Sequence, residues 1–457
     1  MPKKNVTPAS DSDLDPDHHV DLEEGKFCKT SAAQLGRAFT KFLLTGSTHL
    51  CLFFHGGLVS RKAGLQSAGK LIQGYTDAGA YPFFFIWNSD LLTVIGELLK
   101  PYEDDPAYVD AANRAAKMVA RKIDATLVAA RARAGLAGRV PNWRQRLDLK
   151  SLAGAVEPYE RAWARSDGTQ LSVTQQELAS FEKVLLRIDR ARSGIPGRLR
   201  VSDIRGARNP LGRIIRRLNS GHDHGLFTTV IEELYIAIGI AERFAKPVWD
   251  RMQDDIDAAF ADDANAGGSA FLKQLERVWK KVPDLRVTLI GHSAGSIYVQ
   301  RFIEALDATH PARHRVEFIT LAAAVSFERM VQGLPALQRR VAAARVFGMN
   351  DDREGGYWEI PFVYNKSLLY IVCSLCEADA EADRPLLGMQ RYWSGSRPYD
   401  QPHIKAITAF IDSRQVVWSP TTDKAPPGHR SDADRHRGLP RDDLTNQSVC
   451  YALKNGT

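Results

Sequence analysis

The chain has 457 residues, 44% of them apolar and 25% charged, a balance that excludes a disordered or fibrous polymer and allows one large core or two smaller ones. No stretch reaches the ~18–20 uninterrupted apolar residues of a membrane span. The formal charge of +7 is uneven: residues 101–217 carry about ten more Lys and Arg than Asp and Glu, and the remainder is slightly acidic.

Residues 1–30 are polar, with Asp and Pro prominent, and predict a disordered N-terminal tail. They lack the apolar stretch and small-residue cleavage site of a secretory signal, so a cytoplasmic location is expected. Five cysteines, Cys28, Cys51, Cys373, Cys376 and Cys450, are too few and too apolar in context for a disulfide scaffold.

A helix is expected over residues 31–43. The run HLCLFFHGG at residues 49–57 has the composition of a fully buried parallel strand ending in glycines. A helical pattern at 62–78 and a second apolar run, YPFFFIWN at 81–88, complete a β-α-β unit. The text then changes: residues 100–268 are rich in Ala and Arg, with 3.6-residue periodicity at 107–133, 175–192 and 227–260 and an Arg/Gly-rich stretch at 194–217. Strands resume at 286–291, 316–324, 344–350 and 415–420.

The expected fold class is α/β: a doubly wound, mostly parallel sheet formed by residues 31–99 and 269–457, interrupted by a helical insertion at 100–268 acting as a cap. The basic insertion reads first as a solvated helical face and second as a surface for anionic headgroups; nucleic acid is not an expected partner. Cys373 and Cys376 form a C-x-x-C with no second Cys pair or neighbouring His in the sequence. They lie in SLLYIVCSLCE, which reads as a buried helix, so no metal or cofactor is expected.

The motif that carries chemistry is G-x-S-x-G at Gly291, His292, Ser293, Ala294 and Gly295, between a short buried strand and an amphipathic helix. A tight strand-to-helix turn lifts the serine hydroxyl above the sheet, glycines two residues to either side admit close backbone packing, and the helix N-terminus favours developing negative charge. This segment resembles the nucleophile elbow of the α/β-hydrolase superfamily, in its lipase and esterase branch.

The resemblance implies further residues. One oxyanion donor would be the amide of Ala294. The other would come from the His55-Gly56-Gly57 turn, at Gly57 or Leu58. The acid would follow the strand two beyond the nucleophile, at Asp351 with Asp352 beside it, and the base would follow the last strand. His436 is favoured over His429 and His403, because H-x-G-x-x-x-D resembles the histidine loop entering a C-terminal helix in this superfamily. His55, Gly56, Trp87 and His292 would line the substrate, with an apolar acyl chain resting near Trp87, Leu91 and Leu92.

The expected activity is hydrolysis of a small-molecule or lipid-like carboxylic ester through an acyl-enzyme. A thioesterase, peptidase or acyltransferase on the same machinery, or an idle binding module, are the alternatives.

Overall fold

The two unbroken apolar runs form strands β3 (His49–Phe54) and β5 (Tyr81–Trp87), in which every residue is buried, as expected of parallel strands covered on both faces. The computed structural model describes residues 14–87, 89–90, 99–133, 147–166, 169–191, 209–311, 314–356, 358–361, 363–377, 381–412 and 415–457. With β1 (His19–Glu23), β2 (Lys26–Phe27), β7 (Arg286–His292), β8 (Val316–Leu321), β9 (Val341–Met349) and β10 (Val416–Ser419) these strands make one eight-stranded sheet, ordered β10-β9-β8-β7-β3-β5-β1-β2. All pairings are parallel except β1 with β2. From β3 the chain moves outward to β5, then returns to β7 on the other side of β3. Reversals of this kind open a crevice at the carboxyl ends of the strands, here between Phe54 and its register partner Gly291. A short two-stranded antiparallel sheet, β4 (Leu58–Val59) against β6 (Ser89–Asp90), flanks that end.

The expected N-terminal tail is corrected over residues 14–30. β1 pairs in parallel with β5 from His19↔Phe84 to Leu22↔Trp87, and Val20 and Leu22 are buried. The acidic character that argued for a tail is neutralised in place, since the buried Asp21 carboxylate accepts from the Arg61 guanidinium. Residues 1–13 lie outside the described residues.

Between residues 99 and 281 the described residues contain helices and no strand. The pattern over 107–133 becomes the Pro106–Arg133 helix, and that over 175–192 becomes Gln175–Ala191. The pattern over 227–260 divides. Gly239, at φ +79°, follows the Leu226–Ala237 helix; a π turn at Ala241–Ala245 then leads into the Lys246–Ala258 helix. Leu226–Ala237 is buried all round except at Ile236, so this segment has its own interior. Part of the Arg/Gly-rich stretch, 194–208, lies outside the described residues. Arg213 and Arg217 turn inward and pair with Glu232 and Glu233 on the Leu226–Ala237 helix, in place of the solvated face expected there. No helix among the described residues is long and apolar enough to cross a membrane.

Aromatic packing stiffens the crevice from behind. The Phe54 ring lies 4.6 Å from that of Phe85 and 5.1 Å from that of Tyr298, tying β3 to β5 and to the Gly295–Thr309 helix. Each such pair is worth ~0.5–1.5 kcal/mol beyond the area it buries. SLLYIVCSLCE is buried as expected, as a helix Leu368–Ile371 running into a π turn Val372–Cys376.

Candidate active site

β7 delivers GHSAG to the crevice and the chain turns at once into the Gly295–Thr309 helix. Ser293 holds φ +53°, a left-handed conformation that costs a non-glycine residue of order 1–3 kcal/mol and persists only where surrounding bonds over-determine it. Those bonds are present. Ser293 N–H donates to Leu321 O at 2.9 Å, and Ser293 O accepts from Ala324 N–H at 3.1 Å and from Ser296 Oγ at 2.6 Å. The flanking glycines are required sterically: a Cβ at Gly291 would stand 2.6 Å from Gly295 O, and one at Gly295 would stand 2.1 Å from Phe54 O.

His436 Nε2 lies 3.0 Å from Ser293 Oγ. It opens a 3-10 turn, His436–Arg441, after β10, and Asp442 then caps the Asp443–Asn455 helix by accepting from Thr445 N–H at 2.8 Å. The H-x-G-x-x-x-D spacing therefore corresponds to a turn and a helix cap. Burial first, then the neighbouring His292 and Arg437, hold the His436 imidazole well below its ordinary pKa. A neutral ring is the form that accepts the serine proton. His403 lies elsewhere, on the Pro402–Ile411 helix beside Arg384, and His429 closes a turn onto Pro426 O.

The HGG turn is laid directly on the elbow. A Cβ at Gly56 would come within 3.0 Å of Ser293 Cβ, and one at Gly57 within 3.0 Å of Ala294 Cβ and 2.4 Å of Met252 Sδ. A side chain at either position would have to displace these neighbours. The Gly57 backbone is thus packed against Ala294, at the head of the helix where peptide N–H groups have no intrahelical partner. Leu58 begins β4, where it pairs with Asp90 of β6.

Three residues expected to line the substrate have other partners. His55 Nε2 accepts from Trp87 N–H at 3.1 Å, so its Nδ1 carries the proton and donates to Gly56 O at 2.9 Å. The Trp87 indole N–H donates to His55 O at 3.2 Å. Both side chains are buried and brace the turn; burial pushes the His55 pKa down to about 4. His292, also lowered to about 4 by burial, directs Nε2 at His436 O, 3.3 Å away, and so supports the backbone of the candidate base. Leu91 and Leu92 lie outside the described residues.

The acid expected from chain order is the weakest match. β9 ends at Met349, Asn350 caps a four-residue helix Asp351–Glu354, and Asp351 and Asp352 are left exposed on its first turn. The Asp351 carboxylate accepts from the Tyr370 hydroxyl at 2.5 Å. That hydroxyl, and not the imidazole, is its partner. Sequence reasoning passed over Glu359, whose side chain is 5% exposed and whose Oε1 lies 3.4 Å from Nε of Arg437, the residue after the candidate base. It also passed over Met252, which reaches Gly57 from the Lys246–Ala258 helix. Neither stands in a motif.

Ser293 and His436 are both buried. The arrangement offers a hydroxyl within hydrogen-bond reach of a neutral imidazole. Comparison of the chain with protein-family models, curated proteins and solved structures gives no match.

Proposed function

We propose that the protein is a serine hydrolase of the α/β-hydrolase kind, cleaving a carboxylic ester through an acyl-enzyme at Ser293. The observation that carries this reading is the 3.0 Å approach of His436 Nε2 to Ser293 Oγ, made across 143 positions of sequence by a residue following the last strand. His436 takes the Oγ proton as the oxygen attacks the acyl carbonyl, and returns it to the departing alkoxide. It then activates the water that releases the acid. Amides of Ala294 and of the Gly57–Leu58 turn receive the oxyanion; one such donor is commonly worth ~3–4 kcal/mol.

In this reading the acid that steadies the imidazolium is Glu359 in place of Asp351. Its side chain is withdrawn from solvent beside Arg437, whereas Asp351 is exposed and held by Tyr370. The helical segment acts as a cap, since Met252 reaches over the HGG turn. Met252 beside the HGG turn, and Ala294 next to the serine, suit an apolar acyl group better than a charged one.

The test is labelling with a fluorophosphonate probe. Wild type should be labelled and folded Ser293→Ala should not; failure to label either protein would overturn the hydrolase reading. Turnover of esters of increasing acyl length then identifies the substrate class.

A further inference from the structure

The C-x-x-C cysteine that stood without a histidine in the sequence meets one in space. The loop GHDHG at Gly221–Gly225 is bent by two glycines at φ +78° and +87°, and both of its histidines turn toward Asp383. His224 Nε2 lies 3.0 Å from Asp383 Oδ1 and 3.9 Å from Cys373 Sγ, which is 149 positions away in sequence. His222 Nδ1 lies 2.8 Å from the other oxygen, Asp383 Oδ2. One donor atom each of His224, Cys373 and Asp383 falls within 4.8 Å of the others, and all three residues are buried.

We propose that His224, Cys373 and Asp383 form a buried zinc site of three protein donors. Nitrogen, sulfur and carboxylate oxygen together suit a borderline-soft, tetrahedral divalent ion. Bonds of ~2.0–2.3 Å about such an ion separate neighbouring donors by roughly 3.3–3.8 Å; the two spacings to His224, 3.0 and 3.9 Å, lie close to that range, and the Cys373–Asp383 spacing is within 4.8 Å.

A second, independent feature is the shell behind the donors. His224 Nδ1 faces Glu232 Oε1 at 2.8 Å, and Glu232 is itself held by Arg217 at 2.7 Å and by the Tyr364 hydroxyl. A carboxylate on the far nitrogen fixes the ring so that Nε2 points at the metal, the arrangement found behind most metal-bound histidines. Tyr392 and Tyr399 donate to Asp383 in the same way. Cys376 is not part of the group.

Binding balances as Zn²⁺ displacing two protons, one from the Cys373 thiol and one from His224 Nε2, where it is shared with Asp383. The ion would join the loop leading into the Leu226–Ala237 helix to the segment carrying Cys373 and Asp383, clamping the helical segment to the sheet domain. This does not depend on what Ser293 does.

The experiment is titration of the chelator-treated, full-length protein with Zn²⁺ and, in parallel, with Co²⁺. Expected are one equivalent bound per chain, release of up to two protons, and a thiolate-to-cobalt charge-transfer band. Cys373→Ser should abolish that band and weaken zinc binding at least ~10-fold, while Cys376→Ser should leave both intact. Should Cys373→Ser fail to fold, Glu232→Gln, which removes only the orienting carboxylate, should weaken zinc binding by ~10–100-fold. Absence of stoichiometric zinc binding, a cobalt spectrum without the thiolate band, or loss of binding in Cys376→Ser but not in Cys373→Ser would overturn the proposal and leave the cluster as a hydrogen-bonded network alone.

Discussion

Two buried polar regions of this molecule are built on opposite plans. Around Ser293 the histidine rings are neutral: those of His55 and His292 are pushed down to about 4 by burial, and His436 is lowered in the same way. Their positions come mainly from backbone, through glycines that admit no Cβ and carbonyls that pin a left-handed serine. Around Asp383 the reverse holds. Arg217 and Arg391 are buried with Glu232, Glu233 and Asp383, and side chains satisfy side chains. The first region keeps groups poised for a transient exchange of protons, whereas the second fixes its charges permanently. Substitutions should therefore separate reactivity from stability.

The largest separation is expected at the serine. Ser293→Ala or His436→Ala should lower ester turnover by on the order of 10⁴–10⁶ with no more than a small change in melting temperature, measured on the same samples. A comparable loss of stability in either variant would erase the contrast. The converse substitution is Arg217→Met, which leaves the buried Glu232 carboxylate without its guanidinium and Glu233 with that of Arg213 alone. It should cost ~3–5 kcal/mol in denaturant unfolding while turnover per folded molecule is retained.

A finer comparison concerns the acid. Glu359→Gln should reduce turnover by about a hundredfold or more, and Asp351→Asn by less than about threefold; equal effects would remove Glu359 from its assigned role. The last comparison is of pH dependence. His49, His55 and His292 all have folded pKa values of about 4 against an ordinary 6.5. Between those values the unfolded chain binds more protons, so stability is fully present above pH 6.5 and is lost as pH falls toward 4. Each ring should contribute up to about 1.4 kcal/mol per pH unit, and His49→Gln should make the thermal-melt slope shallower.

Much of the sheet was legible because parallel strands buried on both faces are unbroken apolar runs, and LCLFF, YPFFFIW and VTLIG allow little else. The elbow was legible because glycines two residues either side of a serine, between a strand and a helix, encode a steric requirement that the backbone then displays. β1 was not legible. Its apolar face is only Val20 and Leu22, and the charge of Asp21 is cancelled by Arg61, which sequence proximity does not reveal. The surroundings of Asp351 have a related cause: chain order puts it after β9, but it stands exposed on the turn that Asn350 caps, with its carboxylate held by Tyr370. The cluster around Asp383 was invisible, since its members are drawn from separate segments and no local pattern announces them.

The central strand pairing has a consequence for biosynthesis. His49 and Thr288, bonded side chain to side chain across β3 and β7, stand 239 positions apart. At roughly 5–20 residues per second of translation, β3 emerges from the ribosome with one edge uncovered for on the order of ten to fifty seconds. An apolar strand waiting that long for its neighbour is prone to pair with another chain. The nascent protein should therefore depend on chaperones until β7 arrives, and the intervening helices, whose contacts are more local, should fold first.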